Sequence, residues 1–168
     1  MTEQQRESMK GKVVLITGAT SGIGRETALG LARKAATLVL IGRSREKLDR
    51  TLREITSRTG NHDMDSLLCD LTSMESVREL AADFMAKYRR LDVLINNAGG
   101  IVNKRRTTVD GYEYTLALDH LSHFLMANLL MDIIKASAPS RIVNVSSWLT
   151  HSVTSILTIL CARRGTAP

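Results

Sequence analysis

Lys12-Val13-Val14-Leu15-Ile16-Thr17-Gly18-Ala19-Thr20-Ser21-Gly22-Ile23-Gly24 decides the architecture of this chain. Its first six residues are aliphatic and β-branched enough for a buried strand. A helical period starts at residue 22 and places Ile23, Ala28, Leu31 and Ala32 on one face. Three glycines lie between and at the start of these patterns. A glycine-rich turn from strand to helix lets the backbone approach an anion, and the first N–H groups of the helix then face it at the positive end of the helix dipole. In a βαβ unit that anion is the pyrophosphate of a dinucleotide. The expected contacts are Gly18, Thr20, Ser21, Gly22, Ile23 and Gly24.

Outward from this turn, short aliphatic runs alternate with longer helical stretches, the pattern of an α/β fold with a parallel sheet. Strands are predicted at 12–17, 37–42, 65–69, 91–95 and 141–146, and helices at 22–34, 45–59 and 73–89. A fourth helix at 112–137 is apolar nearly all round, from Leu116 to Ile134. Such a helix is deeply buried or covered by a second chain, and the second alternative would make a homo-oligomer through this segment. With 168 residues, 43% of them hydrophobic, the chain can bury one sizeable core. The expected organisation is a flexible lead over 1–10, an NAD(P)-binding domain over 11–150 and an atypical tail over 151–168. No internal repeat or low-complexity segment suggests another plan.

The second predicted strand ends in Gly42-Arg43-Ser44-Arg45. Sites that prefer NAD place a carboxylate near here to accept a hydrogen bond from the ribose 2′-hydroxyl. A guanidinium cannot accept that bond but pairs well with a 2′-phosphate. NADP(H) is therefore expected over NAD(H), with Arg43 as the main contact and Arg45, Lys47 or Arg25 in support. The charge distribution agrees: of the net +6, much sits between residues 33 and 58, where eight basic residues face three acidic ones. No aromatic platform or recognition motif accompanies this charge, which argues against nucleic acid. No apolar run reaches the length of a membrane span, and the amino-terminus lacks a targeting pattern. Cys69 and Cys161 have neither disulfide-framework nor metal-ligand spacing, so no metal is expected, and a reducing, cytoplasmic compartment is. Cys69 reads as a small buried residue.

Four motifs in chain order resemble the short-chain dehydrogenase/reductase family. Thr17, Gly18, Gly22 and Gly24 match its Thr-Gly-x-x-x-Gly-x-Gly. Cys69-Asp70-Leu71-Thr72 matches its adenine-contacting segment, and Asn96-Asn97-Ala98-Gly99 its Asn-Asn-Ala-Gly. Val143-Asn144-Val145-Ser146-Ser147 looks like the segment that carries its catalytic serine. Asp119-His120-Leu121-Ser122-His123-Phe124 is most similar to the retinol-dehydrogenase-like branch.

The resemblance implies a Rossmann-type doubly wound parallel sheet with strand order 3-2-1-4-5. It implies cofactor contacts at Asp70, Leu71, Asn97, Ala98 and Gly99. It also implies hydride transfer between a nicotinamide and a small carbonyl or alcohol substrate, with Ser147, or less well Ser146, holding the substrate oxygen. The sequence departs from the family in ways that matter. No tyrosine or lysine follows Ser147, so the family's Tyr-x-x-x-Lys pair is missing and the fold is expected to be incomplete at its C-terminus, with strand five as an exposed edge. Asp119 stands where the family's proton relay has an asparagine, and a carboxylate cannot donate as an amide does. Ala35 stands where a glycine often makes a left-handed helix cap. Two readings follow: an NADP(H)-dependent oxidoreductase whose catalytic set is incomplete in this sequence, or a non-catalytic NADP-binding or dimerising fragment.

Overall fold

The computed structural model describes residues 8–100, 102 and 104–146. In chain order these form β1 (Val13–Thr17), α1 (Gly22–Arg33), β2 (Thr37–Gly42), α2 (Arg45–Thr59), β3 (Met64–Leu68), α3 (Met74–Lys87) and β4 (Val93–Asn96). There follow α4 (Tyr114–Leu116), a π-helical turn (Ala117–Leu121), α5 (Ser122–Leu129), α6 (Met131–Ala136) and β5 (Arg141–Asn144). All strand pairs are parallel, and the order across the sheet is β3-β2-β1-β4-β5. The expected Rossmann-type order is therefore the observed one. Chain direction across the sheet reverses between β1 and β4, which opens a crevice at their carboxyl ends, where ligands of such sheets bind.

Alternation along the strands creates two cores. Val14, Ile16, Leu38 and Leu40 face Ala28, Leu29 and Ala32 of α1 and Leu48 and Ile55 of α2. Leu15, Val39, Ile41 and Leu94 face Val77, Leu80 and Phe84 of α3, together with Met126, Leu130 and Ile134. Every residue of β1 is buried because helices cover both faces of the sheet. Each fully buried Leu or Ile contributes about 1.5–3 kcal/mol. Cys69 lies in this core as a free thiol, and burial pushes it up to about 11, which keeps it protonated and inert.

The sequence predicts one helix over 112–137, and the structure divides it. A π-helical turn widens its start and Leu130 leaves helical geometry between α5 and α6. The apolar side chains part accordingly: Met126, Leu130 and Ile134 go inward, whereas Phe124 is 63% exposed. β5 also ends earlier than expected, at Asn144, and Val143 and Val145 are exposed.

Ala35 takes a left-handed φ of 60°. It closes α1 as a glycine would: Ala36 N–H donates to the Leu31 carbonyl and Ala35 N–H to the Ala32 carbonyl, a Schellman pair. Asn61 Nδ2 reinforces the turn through the Ala32 and Ala36 carbonyls. These bonds hold a conformation that costs an alanine on the order of 1 kcal/mol.

Candidate functional site

At the crevice, β1 and β4 are joined through one hydroxyl. Thr17 Oγ1 accepts the N–H groups of Asn97 and Ala98 at 3.0 and 2.9 Å and donates to the Ile95 carbonyl at 3.4 Å. The Asn97 amide in turn donates to the carbonyls of Thr17 and Gly18. Asn97 and Ala98, expected as cofactor contacts, are thus first of all the brace that holds the glycine turn. Thr17 was legible as a motif residue, but only the folded pairing shows its hydroxyl at the centre of this brace.

The glycines have separate steric reasons. Gly18 has φ 67°, and a Cβ there would lie 2.8 Å from the Ala98 Cα. A Cβ on Gly24 would collide with the Asn97 side-chain amide and the Gly18 carbonyl. Only bare backbone lets α1 start this close to the ends of β1 and β4.

What α1 offers there is unsatisfied donors. Ser21 occupies its N-cap position in an extended conformation, yet its side chain makes no capping bond, and no acidic residue lies in the first turn. Ser21, Gly22 and Ile23 are exposed, and open space surrounds Gly22 where a Cβ would be. Helix-start N–H groups left in this condition favour a negative charge beside them. A cavity of about 170 Å³ adjoins it, lined by Thr20, Ser21, Arg25, Lys47, Arg50, Thr51 and Glu54.

The basic residues near the end of β2 are not equivalent. Arg45 donates to Ser66 at 3.1 Å, and Arg25 is paired with Glu26 and Glu54. Lys47 is exposed and lines the cavity beside Thr20 and Ser21. Arg43 is exposed and donates to the Tyr114 hydroxyl at 3.2 Å. Just past the neighbouring strand β3, Asp70 Oδ1 accepts the N–H and hydroxyl of Thr72 at 2.9 and 2.8 Å, an Asx turn that fixes the carboxylate. Leu71 beside it is buried.

Asp119 lies on the π-helical turn, and its Oδ1 accepts the Gly100 N–H at 3.0 Å. Burial raises its carboxyl above the ordinary range; the Gly100 bond opposes that rise and the Glu113 charge adds to it. An asparagine could direct its amide N–H toward the cleft, whereas Asp119 presents acceptors only when ionised. Four residues on, His123 is 9% exposed, and burial pushes its imidazole down to about 4 despite a hydrogen bond with the Asp119 backbone. At neutral pH it is uncharged. Ser146 is exposed just past β5; Ser147 and the 151–168 tail lie outside the described residues. The two strands beneath are tied by Asn96 Nδ2, which donates to Asn144 Oδ1 at 2.8 Å.

Among the described residues no group of three or more His, Cys, Asp or Glu could hold a metal ion, and no helix is long and apolar enough to cross a membrane.

A sequence profile described as short chain dehydrogenase matches residues 12–159. The chain belongs to the short chain dehydrogenase family. Human retinol dehydrogenase 13 is 45% identical to it over 142 residues, which are 84% of this chain and 43% of that protein. The chain thus spans less than half the length of that relative. Among solved structures, Pseudomonas aeruginosa RhlG in an NADP active-site complex superposes with a TM-score of 0.71 at 30% identity, covering 83% of this chain and 56% of that one. A short chain dehydrogenase from Escherichia coli CFT073 complexed with NADPH gives 0.76 at 26% identity, covering 90% and 64%.

Proposed function

We propose that residues 11–150 form the NADP(H)-binding domain of an oxidoreductase that moves a hydride between the nicotinamide and a carbonyl or alcohol carbon. The observation that carries this reading is the uncapped start of α1, open to the crevice and framed by Gly18 and Gly24. Gly18, Thr20, Ser21, Gly22, Ile23 and Gly24 would hold the pyrophosphate through backbone N–H groups and small side chains. Asp70 and Leu71 would receive the adenine, and Asn97, Ala98 and Gly99 would line the path toward the nicotinamide. Arg43 would pair with the 2′-phosphate, helped by Lys47, which lines the cavity beside Thr20 and Ser21, rather than by Arg25, whose charge is met by Glu26 and Glu54. The bound NADP and NADPH of the two structural neighbours support the choice of cofactor.

When bound, the nicotinamide supplies or accepts the hydride. Ser147 would hold the substrate oxygen. Asp119 would steady the Gly99-Gly100 backbone through its bond to the Gly100 N–H.

Thermal shift with NADPH, NADH and no addition tests the assignment, because a ligand that binds only the folded state raises Tm. NADPH should raise it more than NADH at equal concentration. No shift with either would remove the cofactor site, and equal shifts would remove the role of Arg43.

A second reading has its own support. This sequence has no tyrosine or lysine after Ser147, and a phenol with a neighbouring cation is what lets the family move a proton at neutral pH. On that reading the chain binds NADP(H) without turnover, or pairs with another copy through the exposed side of α5. NADPH oxidation with a panel of aldehydes and ketones separates the two: measurable turnover supports the first, and binding without turnover supports the second.

A further inference from the structure

The Arg43–Tyr114 bond joins residues 71 positions apart, one just past β2 and the other at the start of α4. Tyr114 does not hang on a loose loop. Its N–H donates to the Arg106 carbonyl at 3.0 Å, and Thr107 and Glu113 form an antiparallel bridge behind it. Asp110 Oδ2 accepts the Met74 N–H at 2.8 Å and ties the same loop to the start of α3. Glu113 Oε2 accepts the Leu116 N–H at 2.8 Å and caps α4. The phenol therefore sits on a braced platform beside the carboxyl end of β2.

An exposed arginine without such a partner samples many rotamers, and ordering it on binding subtracts from affinity. Its guanidinium has five N–H donors in a fixed plane, so one bond to a fixed acceptor sets the direction of the others. We infer that Tyr114 is a positioning residue for recognition of the 2′-phosphate: it pre-orients Arg43 and thereby sharpens the preference for NADP(H). This rests on the assignment of Arg43 to that phosphate. It also gives a role to a residue of α4 that none of the four sequence motifs contains.

Calorimetric titration of the full chain with 2′,5′-ADP and with 5′-AMP tests it, since the two ligands differ only in the phosphate concerned. Tyr114→Phe keeps the ring and removes the acceptor. It should weaken 2′,5′-ADP binding by about 3- to 10-fold while 5′-AMP binding stays within about twofold, with Tm unchanged. Equal losses for both ligands, no loss, or tighter 2′,5′-ADP binding would each overturn the inference; the last would show the phenol competing with the phosphate. Arg43→Gln separates the two levels. If it abolishes the preference for 2′,5′-ADP while Tyr114→Phe does nothing, only the role of Tyr114 fails; if it leaves the preference intact, the assignment of Arg43 fails and the inference with it.

Discussion

Three helices of this sheet, α1, α2 and α3, begin after a serine, and only two of those serines cap. Ser44 accepts the Lys47 N–H and Ser73 accepts the Ser76 N–H, while Ser21 makes no such bond. The first turns of α2 and α3 also carry Glu46 and Glu75, and that of α1 carries no acid. Residue type does not separate the three; backbone does. Ser21 is nearly fully extended, with φ −161° and ψ 167°, and the next residue, Gly22, has φ 52°, so the chain enters α1 without turning the hydroxyl back on the helix. Two helix starts are capped by their serines, and the third leaves its first donors open.

The largest expected effect comes from blocking that start. Gly24→Ala should cost about 2–3 kcal/mol of stability through overpacking against Asn97 and Gly18, and should abolish NADPH binding in a fluorescence titration. Unchanged binding would break the contrast between α1 and its neighbours.

The amino end of the sheet is the opposite case, a polar group with every demand met. Asp92 is 2% exposed and accepts bonds from Arg90, Lys12 and the Val13 N–H. Burial by itself would raise its carboxyl, but these donors outweigh it and hold it at about 2. Because the folded value lies below the unfolded one, the stabilisation is complete above about pH 4 and is lost as pH falls toward 2. Asp92→Asn should therefore cost about 2 kcal/mol at pH 7, and the gap to the parent should close over that acid window in urea melts. A gap independent of pH would show that the charge is not what matters there.

Smaller effects sharpen the comparison of helix starts. Ser73→Ala should cost about 1 kcal/mol in chemical denaturation and leave NADPH affinity alone. Ala35→Gly, at the other end of α1, should gain about 1 kcal/mol by relieving the left-handed alanine. Ser21→Ala should change stability by less than about 0.5 kcal/mol, since no cap is lost; a cost equal to that of Ser73→Ala would mean that Ser21 caps after all.

Much of this was legible because its causes are local. The strand at 37–42 and the helix at 45–59 fall at the expected residues, since an aliphatic run and a 3.6-residue period each mark their own limits. The 112–137 segment was not legible as three pieces, because near-uniform hydrophobicity hides both the π-helical turn and the break at Leu130. Among the site residues, the glycine turn was readable from glycine spacing. Which of Arg25, Arg43, Arg45 and Lys47 face the crevice was not, since like charges are distinguished only by the partners that other elements bring to them.

The order of apolar and small residues by itself determined a strand–glycine turn–helix unit repeated into a parallel sheet, because periodicity and backbone freedom are properties of neighbours along the chain. Tertiary structure alone decided that Thr17 braces Asn97, that Ser21 leaves its helix uncapped and that Tyr114 meets Arg43. Those are meetings between atoms distant in sequence or settings of backbone angle imposed by packing, and neither is written in any short stretch of residues.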